Sequence, residues 1–138
     1  MYKIDNFGKI KALSEQHGGK RAILERIEFK HEYDEHADVS YLEDSAVEYP
    51  EDLNRLASFE RGEWHCIGIR AVATIYIPCG GGSFKVQKIE TAGLWGIESD
   101  SEQTYFNEVE ANEKEELLEY LEILNVDISL LAGSDLNK

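Results

Sequence analysis

The stretch from Trp64 to Ile77 constrains the fold more than any other part of the chain. Ile67, Ile69, Ala71, Ala73, Ile75 and Ile77 alternate with Trp64, Cys66, Arg70, Val72, Thr74 and Tyr76. Successive side chains of a strand point to opposite faces, so this run is largely apolar on both. Such a strand belongs in the middle of a sheet, covered on both sides. Pro78 is expected to end it, because proline brings no N–H to the ladder. Cys79-Gly80-Gly81-Gly82-Ser83 reads as a turn, residues 84–91 as the returning strand of a long hairpin, and 94–97 as a short third strand after Gly93.

Upstream, Ile27, Phe29, His31 and Tyr33 alternate with Glu28, Lys30, Glu32 and Asp34, the period of a half-buried strand. Residues 1–20 are weakly patterned and contain a loop signal at His17-Gly18-Gly19. The acidic, tyrosine-dotted segment 35–48 reads as an ordered loop with one helical turn. Pro50 sits at a first helical position, and Leu53, Leu56 and Phe59 follow at helix spacing towards Gly62.

Downstream, Ser99, Asp100 and Ser101 are N-cap candidates for a helix over about 102–110. Asn112 with Glu115 resembles a capping pattern for a second helix. Its inner face would hold Leu117, Leu118, Leu121 and Leu124, with Tyr120 and Ile123 beside them. Glu113, Glu115, Glu116, Glu119 and Glu122 would cover the outside. Residues 133–138 are expected to fray. Strands followed by helices predict an α+β fold: one domain over 1–138, an antiparallel β-meander of about four strands with helices packed on one face.

Charge is the next constraint. The chain has 28 acidic and 14 basic residues, a net charge of −14. Residues 63–97 hold two acids and three bases, whereas 21–62 and 98–138 hold twelve acids each. Two acidic blocks thus flank a nearly neutral middle. Such a surface repels nucleic acid and attracts basic protein surfaces. No apolar run approaches the ~20 residues that span a bilayer. The first residues lack the basic and apolar regions of a signal peptide, so a cytoplasmic setting is expected, with no membrane partner.

The motifs for chemistry are weak. Gly80-Gly81-Gly82-Ser83-Phe84-Lys85 lacks the Gly-Lys-Ser/Thr and the following helix of a phosphate loop. His31, Asp34, His36 and Asp38 lie close in sequence, but His31 and Asp34 would face opposite sides of a strand. Cys66 and Cys79 form no Cys-x-x-Cys pair and read as buried or incidental thiols. His65 and Cys66, as strand neighbours, would also face apart. No Gly-x-Ser-x-Gly elbow occurs. Glu98 and Asp100 sit at a strand exit, where a general acid and base could work, but a helix cap explains Asp100 better. No catalytic residue, metal ligand or cofactor is therefore expected.

The segment Gly93-Leu94-Trp95-Gly96-Ile97-Glu98-Ser99-Asp100-Ser101 brackets a tryptophan with glycines and ends in acids and hydroxyls. Together with Gly68-Ile69-Arg70-Ala71-Val72-Ala73-Thr74, it resembles small acidic proteins of bacteriophages and mobile elements over about residues 64–124. The resemblance implies an origin rather than an activity, and carries no catalytic residue. Small acidic proteins of that kind are similar to inhibitors of host defence nucleases. The expectation is thus an acidic protein-binding module whose partner is a basic surface, such as that of a nucleic-acid-binding host protein, with no direct nucleic-acid contact. Glu32, Asp34, Glu35, Asp38, Trp95, Glu98, Asp100 and Glu102 are the candidate partner-binding residues. The alternatives are an accessory or structural domain without activity, or a small metal-assisted hydrolase. Arg70, on a central strand, is expected to be partly buried and paired with a carboxylate.

Overall fold

The computed structural model describes residues 7–131. Their order is α1 (Phe7–Gln16), β1 (Ile23–Tyr33), α2 (Tyr41–Ser45), α3 (Asp52–Glu60), β2 (Cys66–Gly80), β3 (Ser83–Glu90), β4 (Leu94–Glu98), α4 (Gln103–Ile123) and a single 3-10 turn at Ser129–Leu131. The mixed α+β class with an antiparallel four-stranded sheet matches the sequence reading. The expected fraying of 133–138 lies outside the described residues. No described helix is long and apolar enough to cross a membrane.

Strand β2 organises the sheet. β1 pairs along one edge, from Tyr33↔Ile67 to Ile23↔Tyr76. β3 takes the far half of the other edge and β4 the near half, through Ile67↔Ile97 and Cys66↔Glu98. The last strand therefore returns to β2 instead of lining up outside β3. Gly81 and Gly82 both have positive φ, as a two-residue turn that matches the strand twist requires.

Pro78 does not end β2, which runs on to Gly80. Ala71 exchanges hydrogen bonds with Thr91 on the β3 side. Alternation then points the backbone nitrogen of Pro78 to the opposite edge, beyond the last β1 partner at Tyr76. Proline loses no ladder bond there.

The two faces of β2 are covered differently. Ala71, Ala73 and Ile75 pack with Leu24 under Leu117 and Leu121 of α4. Ile67, Ile69 and Ile97 pack with Val109 nearer its start. On the opposite face, Ile10 of α1 packs on Ile23 and Tyr76, while Leu42, Leu56 and Phe59 pack on Trp64 and Cys66. Between these ends, that face carries the polar side chains Arg26, Glu28, Lys30, Arg70, Lys88 and Glu90.

Several helical expectations need correction. α4 is one continuous helix, without a break at Asn112, and its N-cap position is Glu102, not a residue of 99–101. Glu113 is not on the outside. It is buried and accepts a 2.6 Å hydrogen bond from the hydroxyl of Thr91, which in turn accepts one from Ala71 N–H. This relay satisfies a backbone donor where the chain leaves β3. Ile123 and Leu124 stand exposed at the end of α4. The weakly patterned start contains α1, which packs through Ile10, Leu13 and Ser14 and sets the ring of Phe7 edge-on against Phe84.

Candidate functional site

At the end of β1 the chain turns sharply under the control of Asp34. Its backbone N–H donates to Cys66 C=O at 2.9 Å. One carboxylate oxygen accepts from His36 N–H at 3.1 Å and the other from Gly96 N–H of β4 at 2.9 Å. Asp34 thereby joins the two strands that flank β2. Four residues on, Asp38 accepts from Ser40 N–H at 2.9 Å, a turn that leads into α2. This backbone bond, with a second from the Ser40 side chain, holds the Asp38 carboxyl below its usual value.

Trp95 lies on the same side. Its ring sits over Gly68, and its indole N–H donates to Ala92 C=O at 2.8 Å. The ring remains 39% exposed. Trp95, Tyr33, Asp34, Glu35 and His36 line an open cleft of about 470 Å³. Tyr33 is 64% exposed, and its ring stands 5.5 Å from that of His65.

Arg70 borders Trp95, with its guanidinium carbon 5.3 Å from the indole centroid. It pairs with Glu90 at 2.9 Å and with Glu32 at 3.5 Å. The partly buried, paired arginine expected from sequence is therefore present, although its Nε is buried without a hydrogen-bond partner. Lys30 completes this cross-strand network by bonding Glu90 at 2.8 Å. Glu32 is thus occupied within the sheet.

The corner acids are occupied as well. Arg55 of α3 grips Asp100 with two hydrogen bonds of 2.6 and 2.7 Å, and Glu98 with a third of 2.7 Å. Its guanidinium stacks 3.8 Å above the ring of Trp64, whose indole N–H donates to Arg55 C=O. The hydrogen bonds from Arg55 hold the Asp100 carboxyl below its usual value. Tyr41 donates its hydroxyl to Glu98 at 2.5 Å. Burial, then that bond to a carboxylate, raises the Tyr41 phenol. Ser99 accepts from His65 N–H, and Ser101 bonds Glu98 C=O. The cluster 98–101 therefore locks α3, β4 and the start of α4 together instead of capping α4.

A third acidic feature lies on the outer side of α4. Val109, Glu113, Leu117 and Leu121 face the sheet. Opposite them, Glu108, Glu115, Glu119 and Glu122 fall within about 60° of one another at 3.6 residues per turn. All four are exposed and enter no ion pair among the described residues. Glu110 is different: it accepts from His31 at 2.7 Å.

The expected site residues thus separate. Asp34, Glu35 and Trp95 come together at the cleft. Glu98 and Asp100 belong to the Arg55 lock, Glu32 to the Arg70 network, and Asp38 to a turn. Glu102 is exposed at the start of α4. Trp95 and Glu32 lie on one side of the sheet and α4 on the other, so the acidic blocks do not make one surface. Sequence reasoning missed Arg55, Tyr41 and Tyr33. Tyr33 was legible only as a strand residue, and the Arg55 contacts span 43 and 45 residues.

His31 turns to Glu110 while Asp34 turns to Gly96, and no group of three possible ligands is placed to hold a metal ion among the described residues. Cys66 is buried and Cys79 exposed, both as free thiols. Burial, then the charges of Asp34 and Glu98, raises the Cys66 thiol, which opposes thiolate formation. No protein-family model, no curated protein and no solved structure matches this chain.

Proposed function

We propose that the chain is a protein-binding module that presents the outer face of α4 to a basic surface of another protein. The observation that carries this reading is the stripe Glu108, Glu115, Glu119 and Glu122. α4 carries no basic residue in its last turn, so acids accumulate where the helix dipole is already negative. Glu115 and Glu119, and Glu119 and Glu122, are also like-charge neighbours at spacings that cost helix stability. A basic partner would relieve both strains and would be steered towards the stripe.

Magnitudes favour a protein contact of this kind over a replica of DNA. Fourteen residues of helix rise about 21 Å, so four charges stand about 7 Å apart. A single DNA strand carries a charge about every 3.4 Å. The stripe has roughly half that density. Nucleic-acid-binding proteins remain the partner class with the matching chemistry, because they carry basic stripes of their own. The resemblance to phage and mobile-element proteins supports one form of the reading, an inhibitor that blocks such a surface on a host protein.

The test is capture of a basic partner by the tagged protein at low salt, competed by DNA. Capture should be lost at high salt and in a variant with all four glutamates changed to glutamine. Capture that survives the variant would overturn the α4 assignment. A folded protein that captures nothing would leave the accessory-domain reading, to which the internal pairing of Glu32, Glu98 and Asp100 already conforms.

A further inference from the structure

β1 is an outer strand of the sheet, and much of its outer edge is bare. The hydrogen bonds of Ala71 with Thr91 point the Ala71 backbone towards β3. Alternation then aims Arg70 at β1, so Glu28, Lys30 and Glu32 bond β2. The N–H and C=O groups of Ile27, Phe29, His31 and Tyr33 point the other way, and have no backbone partner among the described residues. This open stretch is closed at both ends. At one end stand the bulge at Glu25 and the bonds of Leu24 and Ala22 to Asp127. At the other, the chain turns away at Asp34. Phe29 is the midpoint of the open residues 25–33.

We propose that β1 pairs antiparallel with β1 of a second copy, about a twofold axis at Phe29, and joins the two sheets into one. An open edge often carries charge that discourages further strands. Here Arg26, Glu28, Lys30 and Glu32 alternate in sign on the face away from α4. With the axis at Phe29, Glu28 of each copy lies opposite Lys30 of the other, and Arg26 opposite Glu32. Opposite charges directly across two strands attract. An axis at Lys30 would set Lys30 against itself and Glu28 against Glu32. An axis at Glu28 would set Glu28 against itself and Arg26 against Lys30. The charge pattern therefore complements itself in the register that also centres the open edge on its own copy. Phe29 then bonds Phe29 of the second copy, and Ile27 bonds His31, which gives about six backbone hydrogen bonds.

The four charged side chains are 36–55% exposed, so a second chain can reach them while they keep their present partners Glu25, Glu90 and Arg70. The helices also leave room. α4 packs over β2, so its two copies would lie three strand spacings, about 14 Å, apart. Packed helices stand closer, at roughly 8–10 Å.

Analytical ultracentrifugation of the full chain is the test. The parent should dimerise reversibly. Glu28→Lys and Lys30→Glu each set like charges across the axis twice, so each alone should associate at least tenfold more weakly. An equimolar mixture of the two restores opposite charges at both positions, and should dimerise within threefold of the parent. Amide hydrogen exchange on the parent checks the same pairing without any variant: Ile27, Phe29 and His31 should exchange more slowly as concentration rises. A parent that stays monomeric up to about 1 mM, or exchange at these three amides that ignores concentration, would overturn the pairing. So would folded single variants that associate like the parent, or a mixture of folded variants that associates no better than its components.

Discussion

Gly68 is the seat of Trp95. A Cβ placed on Gly68 would meet the indole at 2.2, 2.4 and 2.6 Å, closer than any real contact allows. The glycine is not there for its backbone, since its φ is not in the left-handed region. It is there because β2 must be bare at this point. Gly93, with φ +88 and its own close approach to Ile69 C=O, bends the chain so that the indole can reach that bare spot. Two separate glycines thus place the aromatic wall of the cleft.

Gly68→Ala should therefore expel the ring. The backbone accepts alanine, so the loss reflects the indole alone, about 1–2 kcal/mol, towards the low end for overpacking because a half-exposed ring can swing away. Urea midpoints check this. The double variant Gly68→Ala with Trp95→Ala should be no less stable than Trp95→Ala by itself. If Gly68→Ala costs the same in both backgrounds, the seat is not what matters at this position.

Arg55 should behave as a structural lock. Arg55→Ala should cost about 1–2 kcal/mol, through loss of the Trp64 stack and of three charge-assisted hydrogen bonds. Arg55→Lys should recover less than half of that, because an ammonium cannot serve Asp100 through two parallel bonds. The Asp100 carboxyl should also rise towards its ordinary value of 3.8 in Arg55→Ala, which carboxyl NMR resolves. An unchanged Asp100 titration would show that the pair is not formed in solution.

The sheet was legible in the sequence because its signal is local. Ile67 to Ile77 alternate on both faces, and no helix accommodates that period. Arg70 was legible for a related reason: a guanidinium on such a strand must find an acid. α1 was hidden because a short apolar stripe, Phe7, Ile10 and Leu13, docks it beside Tyr76 and Phe84. The break expected at Asn112 was not found, because a capping pattern has no force once Val109, Glu113 and Leu117 form a continuous seam. The candidate site was legible only in part. Trp95 and the acids at 34 and 35 stood out by type. The fates of Glu98, Asp100 and Glu32 depended on arginines distant in sequence.

Acid sensitivity should be traceable to Asp127. Burial works to raise its carboxyl, but hydrogen bonds from Ser129 and from His17, the latter at 2.6 Å, outweigh burial and hold it below its ordinary 3.8. The unfolded chain then binds the proton more readily, so this contribution is fully present above pH ~4 and is lost as pH falls through the folded value. Glu25, the extra residue in β1 between Leu24 and Arg26, has the opposite sign. Burial raises it above its ordinary 4.5, so its contribution is greatest in acid and fades as pH rises. Asp127→Asn should be less stable than the parent at neutral pH, and the gap should close on acidification. A gap that stays constant from pH 7 to pH 3 would remove Asp127 from the acid limb.

The outer face of α4 makes the sharpest demand, because contact and stability should oppose each other there. Glu115, Glu119 and Glu122 repel one another near the negative end of the helix dipole. Arg21 offsets part of this, donating to Asn125 C=O at 2.8 Å and bordering the same shallow cleft as the three acids. Changing all three to glutamine should therefore stabilise the fold by only about 0.5–1 kcal/mol. The midpoint of the parent should rise with added salt, because screening weakens the same repulsion, and the triple variant should respond less. A surface kept acidic for docking predicts this combination, a more stable protein that no longer captures its partner. If the triple variant is instead less stable, the glutamates are structural through contacts with Arg21. α4 would then not be a free docking face, and the proposed function would lose the observation that carries it.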